Sequence, residues 1–230
     1  MILYLGCLVP ERLPSIEAAT RFVIDRIGAD LADSPVADCC FDPAGMSAVD
    51  PEGWESAVSR IHSAAGGEGI VTLCDGCSLS LSQYDGGNRV DGFMAFLHSN
   101  LAAVREAVTK PLGMEVASFP GCHCVDVCER NGQNAVSMMT QLLEALGCET
   151  HPPGRNLCCG GNVSGINDEL SRKVLAETLR SFGDRPVAVT CPFCFVQFDM
   201  VARKKTYHIA ELAAMAMGWD VDPLDYHRGK

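Results

Sequence analysis

Residues 70–77 read IVTLCDGC, and residues 187–194 read VAVTCPFC. Each is a short β-rich run ending in a Cys-x-x-Cys pair, Cys74/Cys77 in the first and Cys191/Cys194 in the second. Working outward from either pair meets the same cysteines in the same order. Upstream of the first lie the vicinal Cys39-Cys40 and then Cys7; upstream of the second lie Cys158-Cys159 and then Cys122. The gaps are 31, 33 and 2 residues in one set and 35, 31 and 2 in the other, so the three landmarks are offset by 115, 119 and 117 residues. Chance does not produce a five-cysteine pattern twice. The chain is an internal duplication.

The repeat reaches beyond cysteine. Both first cysteines follow a short apolar run, ILYLG (2–6) and VASFPG (116–121), which reads as a strand entering a loop. After it comes a helix carrying Ile16, Ala19, Val23 and Ile27 and closed by Gly28, matched by Val136, Met139, Leu143 and Leu146 closed by Gly147. After each vicinal pair another helix starts. Asp50-Pro51 opens one with Trp54, Val58 and Ile61, and Asn167 caps one with Leu170 and Val174. Strand–helix–loop–helix–strand alternation predicts two α/β modules with parallel strands, residues 1–110 and 111–230, joined near VTKPLGM (108–114). All ten repeated cysteines then fall at strand ends or loop starts, where ligands converge in such sheets. The stripe Phe93, Phe96, Leu97, Leu101 and Val104 is expected to be helical core.

Composition narrows the chemistry. A chain of 230 residues, 47% hydrophobic and 20% charged, buries a full core. Its net charge of −11 argues against nucleic-acid and anionic-membrane surfaces, which need clustered Lys and Arg. No apolar run approaches a membrane span, and the start MILYLGCLVPERLP lacks a signal-peptide pattern. Thirteen cysteines without a secretory signal imply a reducing cytosol, and there zinc and iron–sulfur clusters are the usual consumers of thiols. A tetrahedral zinc or a cubane cluster takes four ligands, not five. Two adjacent cysteines aim poorly at one metal corner but can serve neighbouring irons. The alternative, a vicinal disulfide, strains an eight-membered ring. A multi-iron site with a fifth thiolate is the better inference.

The ordered stretches YLGCLVPERLPSIEAATR, CCFDPAG, VTLCDGC, LCCGG, CPFCFVQFD and HIAELAAMAMG resemble the cysteine-rich (CCG) domains found in the B subunit of heterodisulfide reductase, over almost the whole chain. The resemblance implies two homologous CCG-type modules, pseudo-two-fold related, with metal sites at the seam. It implies that Cys7, Cys39, Cys40, Cys74 and Cys77 hold one non-cubane [4Fe–4S] cluster and Cys122, Cys158, Cys159, Cys191 and Cys194 a second. The implied reaction is reductive cleavage of the mixed disulfide of coenzyme M and coenzyme B in methanogenic energy metabolism. The implied partners are a ferredoxin-like C subunit, which delivers electrons directly, a flavin-bearing A subunit, and a hydrogenase or formate dehydrogenase in the wider complex. No flavin or nucleotide is expected on this chain: GGNVSG (160–165) lacks the G-x-G-x-x-G spacing, and no ferredoxin-type cysteine run is present.

Three cysteines disobey the repeat. Val9 and Leu13 stand where Cys124 and Cys128 would have counterparts, and Cys148 matches Ala29, so all three are read as small buried hydrophobes rather than ligands. Against the family's GCHLLR, Cys124 replaces a leucine and Asp126 an arginine. His123, beside Cys122, is a candidate proton donor because histidine titrates near neutrality; the plain alternative is a histidine that hydrogen-bonds a cluster sulfur. The mixed disulfide would carry sulfonate, phosphate and carboxylate groups. Arg203, Lys204 and Lys205, with Arg12 and Arg130, are therefore candidate anion contacts, a solvated helix end being the plain reading of the 203–205 run. The competing functional class is an electron-transfer component of another CCG-containing oxidoreductase acting on a different disulfide or a 2-hydroxy acid, resembling the CCG proteins of lactate utilisation or glycolate oxidase. Those relatives often lack one Cys-x-x-Cys cysteine, and here both sets are complete.

Overall fold

The computed structural model describes residues 1–41, 46–154 and 158–227; residues 42–45 of the CCFDPAG stretch and Leu157 of LCCGG lie outside the described residues. The first half runs β1 (Ile2–Tyr4), α1 (Leu8–Arg12), α2 (Pro14–Arg26), β2 (Ala32–Asp33), α3 (Met46–Val49), α4 (Pro51–Ala64), β3 (Ile70–Thr72), α5 (Asp75–Ser82), β4 (Val90–Gly92), α6 (Phe93–Ser99) and α7 (Leu101–Ala107). The second half runs β5 (Glu115–Phe119), α8 (Gly121–Arg130), α9 (Ala135–Ala145), β6 (Glu149–His151), α10 (Asp168–Phe182), β7 (Val187–Val189), α11 (Pro192–Phe195), β8 (Thr206–His208) and α12 (Ile209–Ala216).

Two four-stranded parallel sheets result, ordered β2-β1-β3-β4 and β6-β5-β7-β8. The registers correspond: Ile2 sits opposite Ile70, and Ala117 opposite Val187. Inner strands β1, β3 and β7 are buried throughout, as expected of parallel strands covered on both faces. In each sheet the chain starts on an inner strand, moves outward to one edge, then returns to build the other side. The order therefore reverses between β1 and β3, and between β5 and β7. The loops leaving such a pair of strands diverge and open a crevice. Cys7 and Cys74 follow β1 and β3, and Cys122 and Cys191 follow β5 and β7.

Four strands per sheet exceed the two that the alternation predicts. The additional ones, β2, β4, β6 and β8, are two or three residues long, too short to show a period of two. Other elements begin as expected. The Asp50 side chain accepts from Gly53 N at 2.9 Å ahead of Pro51, and Asn167 from Leu170 N at 3.0 Å. The inward face of α10, however, is Ser171, Leu175, Thr178 and Phe182, one position on from the predicted Leu170/Val174 stripe; Leu170 is exposed. Phe93, Phe96, Leu97 and Val104 are buried as predicted. Phe93, Phe96 and Leu97 stand on α6 and Val104 on α7, so the stripe runs over two short helices separated at Asn100; both close on α9 of the second half, while α12 of the second half closes on α2 of the first. Each half thus covers a helix of the other. The buried Glu211 of α12 accepts a hydrogen bond from Ser15 of α2 at 2.7 Å and pairs with His227 Nε2 at 3.0 Å.

Candidate metal centre

A loop after a parallel strand must turn sharply into the following helix, and both halves do this with glycine against sulfur. Gly6 and Gly121 precede the first cysteine of each set and have φ of +71° and +78°. A Cβ on Gly6 would lie 3.0 Å from Cys77 Sγ, and one on Gly121 3.2 Å from Cys194 Sγ. The left-handed turn and the missing side chain together let the strand end approach the Cys-x-x-Cys pair. This close approach brings residues far apart in sequence to one site.

In the first set the Cys40 and Cys77 sulfurs are 3.1 Å apart, and the Cys40 carbonyl accepts from Ser80 Oγ at 2.5 Å. Tyr4 lies beneath them, its hydroxyl bonded to the Asp38 carbonyl. Burial, then the charge of Cys77, Cys40, Cys39 and Cys7, raises the Tyr4 phenol far above its ordinary value. In the second set Cys122, Cys158, Cys159, Cys191 and Cys194 all line one small cavity of about 20 Å³, with Gly121, His123, Asn162 and Phe193. The amides of Gly160 and Gly161 donate to Cys158 Sγ and Cys159 Sγ, each at 3.4 Å. Amide donors directed at sulfur favour the thiolate, the form that binds metal.

The thiols compete for protons. Hydrogen bonds from Cys39 and Cys77 pull Cys40 down to about 4, and Cys122 pulls Cys158 down to about 6. Cys194 and then Cys74 hold Cys191 well below the usual thiol range. Each lowered sulfur has raised neighbours. Cys39 is raised by Cys40, Cys122 by Cys158, Cys74 by Cys191, Cys77 by Cys40, and Cys194 by Cys159. Protons alone cannot leave all ten sulfurs ionised at such proximity. Metal cations can, and a set of clustered, partly deprotonated thiols fits an iron–sulfur group. Cys39 and Cys40 are free thiols, not a vicinal disulfide. Cys7, Cys39 and Cys122 are exposed, so both sets open to solvent on one side.

The two sets meet. Cys74 of the first and Cys191 of the second lie close enough to shift each other's thiols, Cys74 upward and Cys191, after Cys194, downward. Beside them the Thr190 hydroxyl bonds the Asp75 carboxyl across the seam, and Pro120 O at 2.7 Å.

His123 lines the second cavity, with its Nε2 3.0 Å from Asn162 Nδ2. The basic residues are dispersed. Arg130 stands two turns along α8 from Cys122 and is held by Asp126 at 3.1 and 3.2 Å. Lys204 Nζ donates to Gly183 O at 2.5 Å, and Lys205 lies 5.5 Å from the Tyr207 ring centre. The run Arg203–Lys205 enters β8 at its N-terminal end, opposite the strand ends that carry the thiols, so the fold does not bring it to them. Exposed Arg12, on α1, stays within about one and a half helical turns of Cys7. Cys124 and Cys128 lie one turn apart on α8, a helix where the sequence pattern predicts a loop. They are 5% and 3% exposed, in the places that Val9 (0%) and Leu13 (3%) fill in the first half. Asn162, Phe193, Tyr4, Asp75 and Thr190 escape sequence reasoning; only the glycine-rich GGNVSG marks Asn162.

Two sheets of one topology, each delivering five thiols to a shared seam, define a duplicated cysteine-rich α/β protein. The family model described as a cysteine-rich domain, CCG, matches residues 1–82 and again 116–199, and the chain belongs to that family. It is 29% identical to the B subunit of the ferredoxin/F420H2-dependent CoB-CoM heterodisulfide reductase of Methanosarcina acetivorans, over 96% of this chain and 90% of that one. It is 28% identical to the B subunit of the ferredoxin:CoB-CoM heterodisulfide reductase of Methanosarcina mazei, with the same coverage. A protein of Archaeoglobus profundus, named for its likeness to the B subunit of heterodisulfide reductase, is 23% identical over 96% of this chain and 92% of its own length. Among the described residues no helix is long and apolar enough to cross a membrane.

Proposed function

We propose that this chain is the disulfide-cleaving iron–sulfur subunit of a heterodisulfide reductase complex. Residues 1–110 and 111–230 act as its two modules, and each five-cysteine set holds one non-cubane [4Fe–4S] cluster. The observation that carries the reading is the hydrogen bond from Thr190 to Asp75, which ties the residue before Cys191 to the residue after Cys74 and so draws the two five-cysteine sets to one seam. Breaking one disulfide to two thiols takes two electrons and two protons. A bound cluster passes one electron at a time, so two side by side meet the electron requirement.

The chain's own residues supply the rest. With the Asn162 amide nitrogen facing His123 Nε2, that nitrogen accepts and the imidazole proton sits on Nδ1. His123 can then give a proton to a departing thiolate in the cavity that it lines with the second five cysteines. Phe193 supplies an apolar wall there, and Arg12 is the basic side chain best situated to meet an anionic group of the substrate near Cys7. The similarity to relatives named for the CoB-CoM heterodisulfide supports that substrate. Electrons reach the chain from a ferredoxin-like C subunit, fed by a flavin-bearing A subunit and a hydrogenase or formate dehydrogenase.

The test is anaerobic. Protein purified without oxygen should be brown, contain about eight irons at four per cluster, and in complex cleave the heterodisulfide with a reduced dye. Colourless protein holding zinc, or an iron-loaded complex inert toward the heterodisulfide but active on another disulfide or a 2-hydroxy acid, would sink the assignment.

A further inference from the structure

We propose that Asp75 and Thr190 form a clip that fixes the separation of the two thiol sets, and are positioning residues for the paired clusters; this rests on the two-cluster reading above. The Thr190 hydroxyl is shared between the Asp75 carboxyl, 115 positions away, and the Pro120 carbonyl at 2.7 Å. Both side chains are buried, at 3% and 4% exposure. Each partner is chained to a cysteine: Asp75 follows Cys74, Thr190 precedes Cys191, and Pro120 stands two residues before Cys122. The Thr190 carbonyl is fixed as well. His208 Nδ1 accepts from Ala210 N at 3.3 Å, so Nε2 carries the proton and donates to Thr190 O at 2.9 Å. One threonine thereby joins the loops of Cys74, Cys191 and Cys122 to strand β8.

The duplication shows what the clip is not for. At the offset of 117 residues, Thr190 corresponds to Leu73 and Asp75 to Pro192. The mirror-image pair does not exist, and the Leu73 position is filled by a fully buried apolar side chain. A module therefore folds without this pair. A buried polar contact adds little net stability over apolar residues of similar size, but it is directional, whereas apolar surfaces slide. What it adds at the seam is a set distance between Cys74 and Cys191.

Thr190→Val removes the hydroxyl and Thr190→Ser keeps it. In the metal-free chain, mild oxidation followed by peptide mapping reports the Cys74–Cys191 cross-link. In the iron-loaded chain, electron paramagnetic resonance reports spin–spin coupling between clusters, alongside iron content. Wild type and T190S should cross-link and show the coupling. T190V should cross-link severalfold less and lose the coupling, with iron content unchanged. Wild-type cross-linking and coupling in T190V would overturn the clip. A wild-type chain that takes up no iron overturns the cluster reading instead, and the cross-link then decides the clip alone. Should T190V not fold, Asp75→Ala goes through both measurements with the same criteria. Failure of both variants to fold overturns the proposal too, since the pair would then be a folding element.

Discussion

Ser15 Oγ, on the second helix of the first module, donates 2.7 Å to Glu211, a wholly buried carboxylate on the last helix of the second. Glu211 also accepts from the His208 amide at 2.9 Å and pairs with His227. Replacing it by Ala strands three donors at once and should cost about 3–5 kcal/mol, whereas Ser15→Ala should cost about 1 kcal/mol. Urea unfolding of the anaerobic chain gives both values.

His227 gives the pH dependence. Burial opposes its charge, but Asp199 at 3.6 Å and Glu211 at 3.0 Å prevail and raise it from 6.5 to about 9. A raised folded value means stability that is complete below pH 6.5 and is lost as pH climbs through 9. His227→Gln should lower stability at pH 6 by about 1–3 kcal/mol, with the gap from wild type closing by pH 10. A constant gap across that range would disprove the charged pairing.

The paired glycines predict a site-specific loss. Gly6→Ala and Gly121→Ala combine an unfavourable φ, about 1–2 kcal/mol, with a methyl pressed on a cysteine sulfur at 3.0 or 3.2 Å. Each should halve the iron content by losing one cluster. Gly28→Ala, with φ of +65° and nothing within 4 Å of its Cβ, should lower stability alike and leave iron intact.

The cysteines divide by the same measurement. Cys40→Ala or Cys159→Ala should lose or remodel one cluster, while Cys124→Ala, Cys128→Ala and Cys148→Ala should keep full iron. Cys148, whose thiol burial pushes up to about 11, should behave as a packed apolar group. Unchanged iron in the Cys40 and Cys159 variants would overturn the five-ligand reading.

Spacing alone makes the two cysteine sets, strands β1, β3, β5 and β7 and the capped helices legible, because each is encoded within a few neighbouring residues. Ala32–Asp33 and Val90–Gly92 are not legible: strands so short carry no periodicity and exist only through pairing with β1 and β3. The Phe93–Val104 stripe identifies buried helical residues but neither the break at Asn100 nor the helix that covers them, since both are set by long-range packing. The position of the Arg203–Lys205 run is not legible for a related reason: a charge run carries no direction, and the end of the sheet it meets is set by strand order. Asp75 sits in a Cys-x-x-Cys pair where any small polar residue would pass unnoticed, and its partner is 115 positions away.

The exchange of helices, α2 under α12 and α9 under α6, bears on descent. A chain holding a single module would expose the flank that its missing sister covers, and a second copy of itself is the surface that would fit. On the two-module reading, the repeat has the geometry that joining the two chains of a symmetric homodimer would leave. Fusion frees the halves from identity. In a homodimer a threonine at position 190 would have to appear at position 73 as well; in the fused chain that place keeps its leucine, and the ancestral symmetry ends at the Asp75–Thr190 contact.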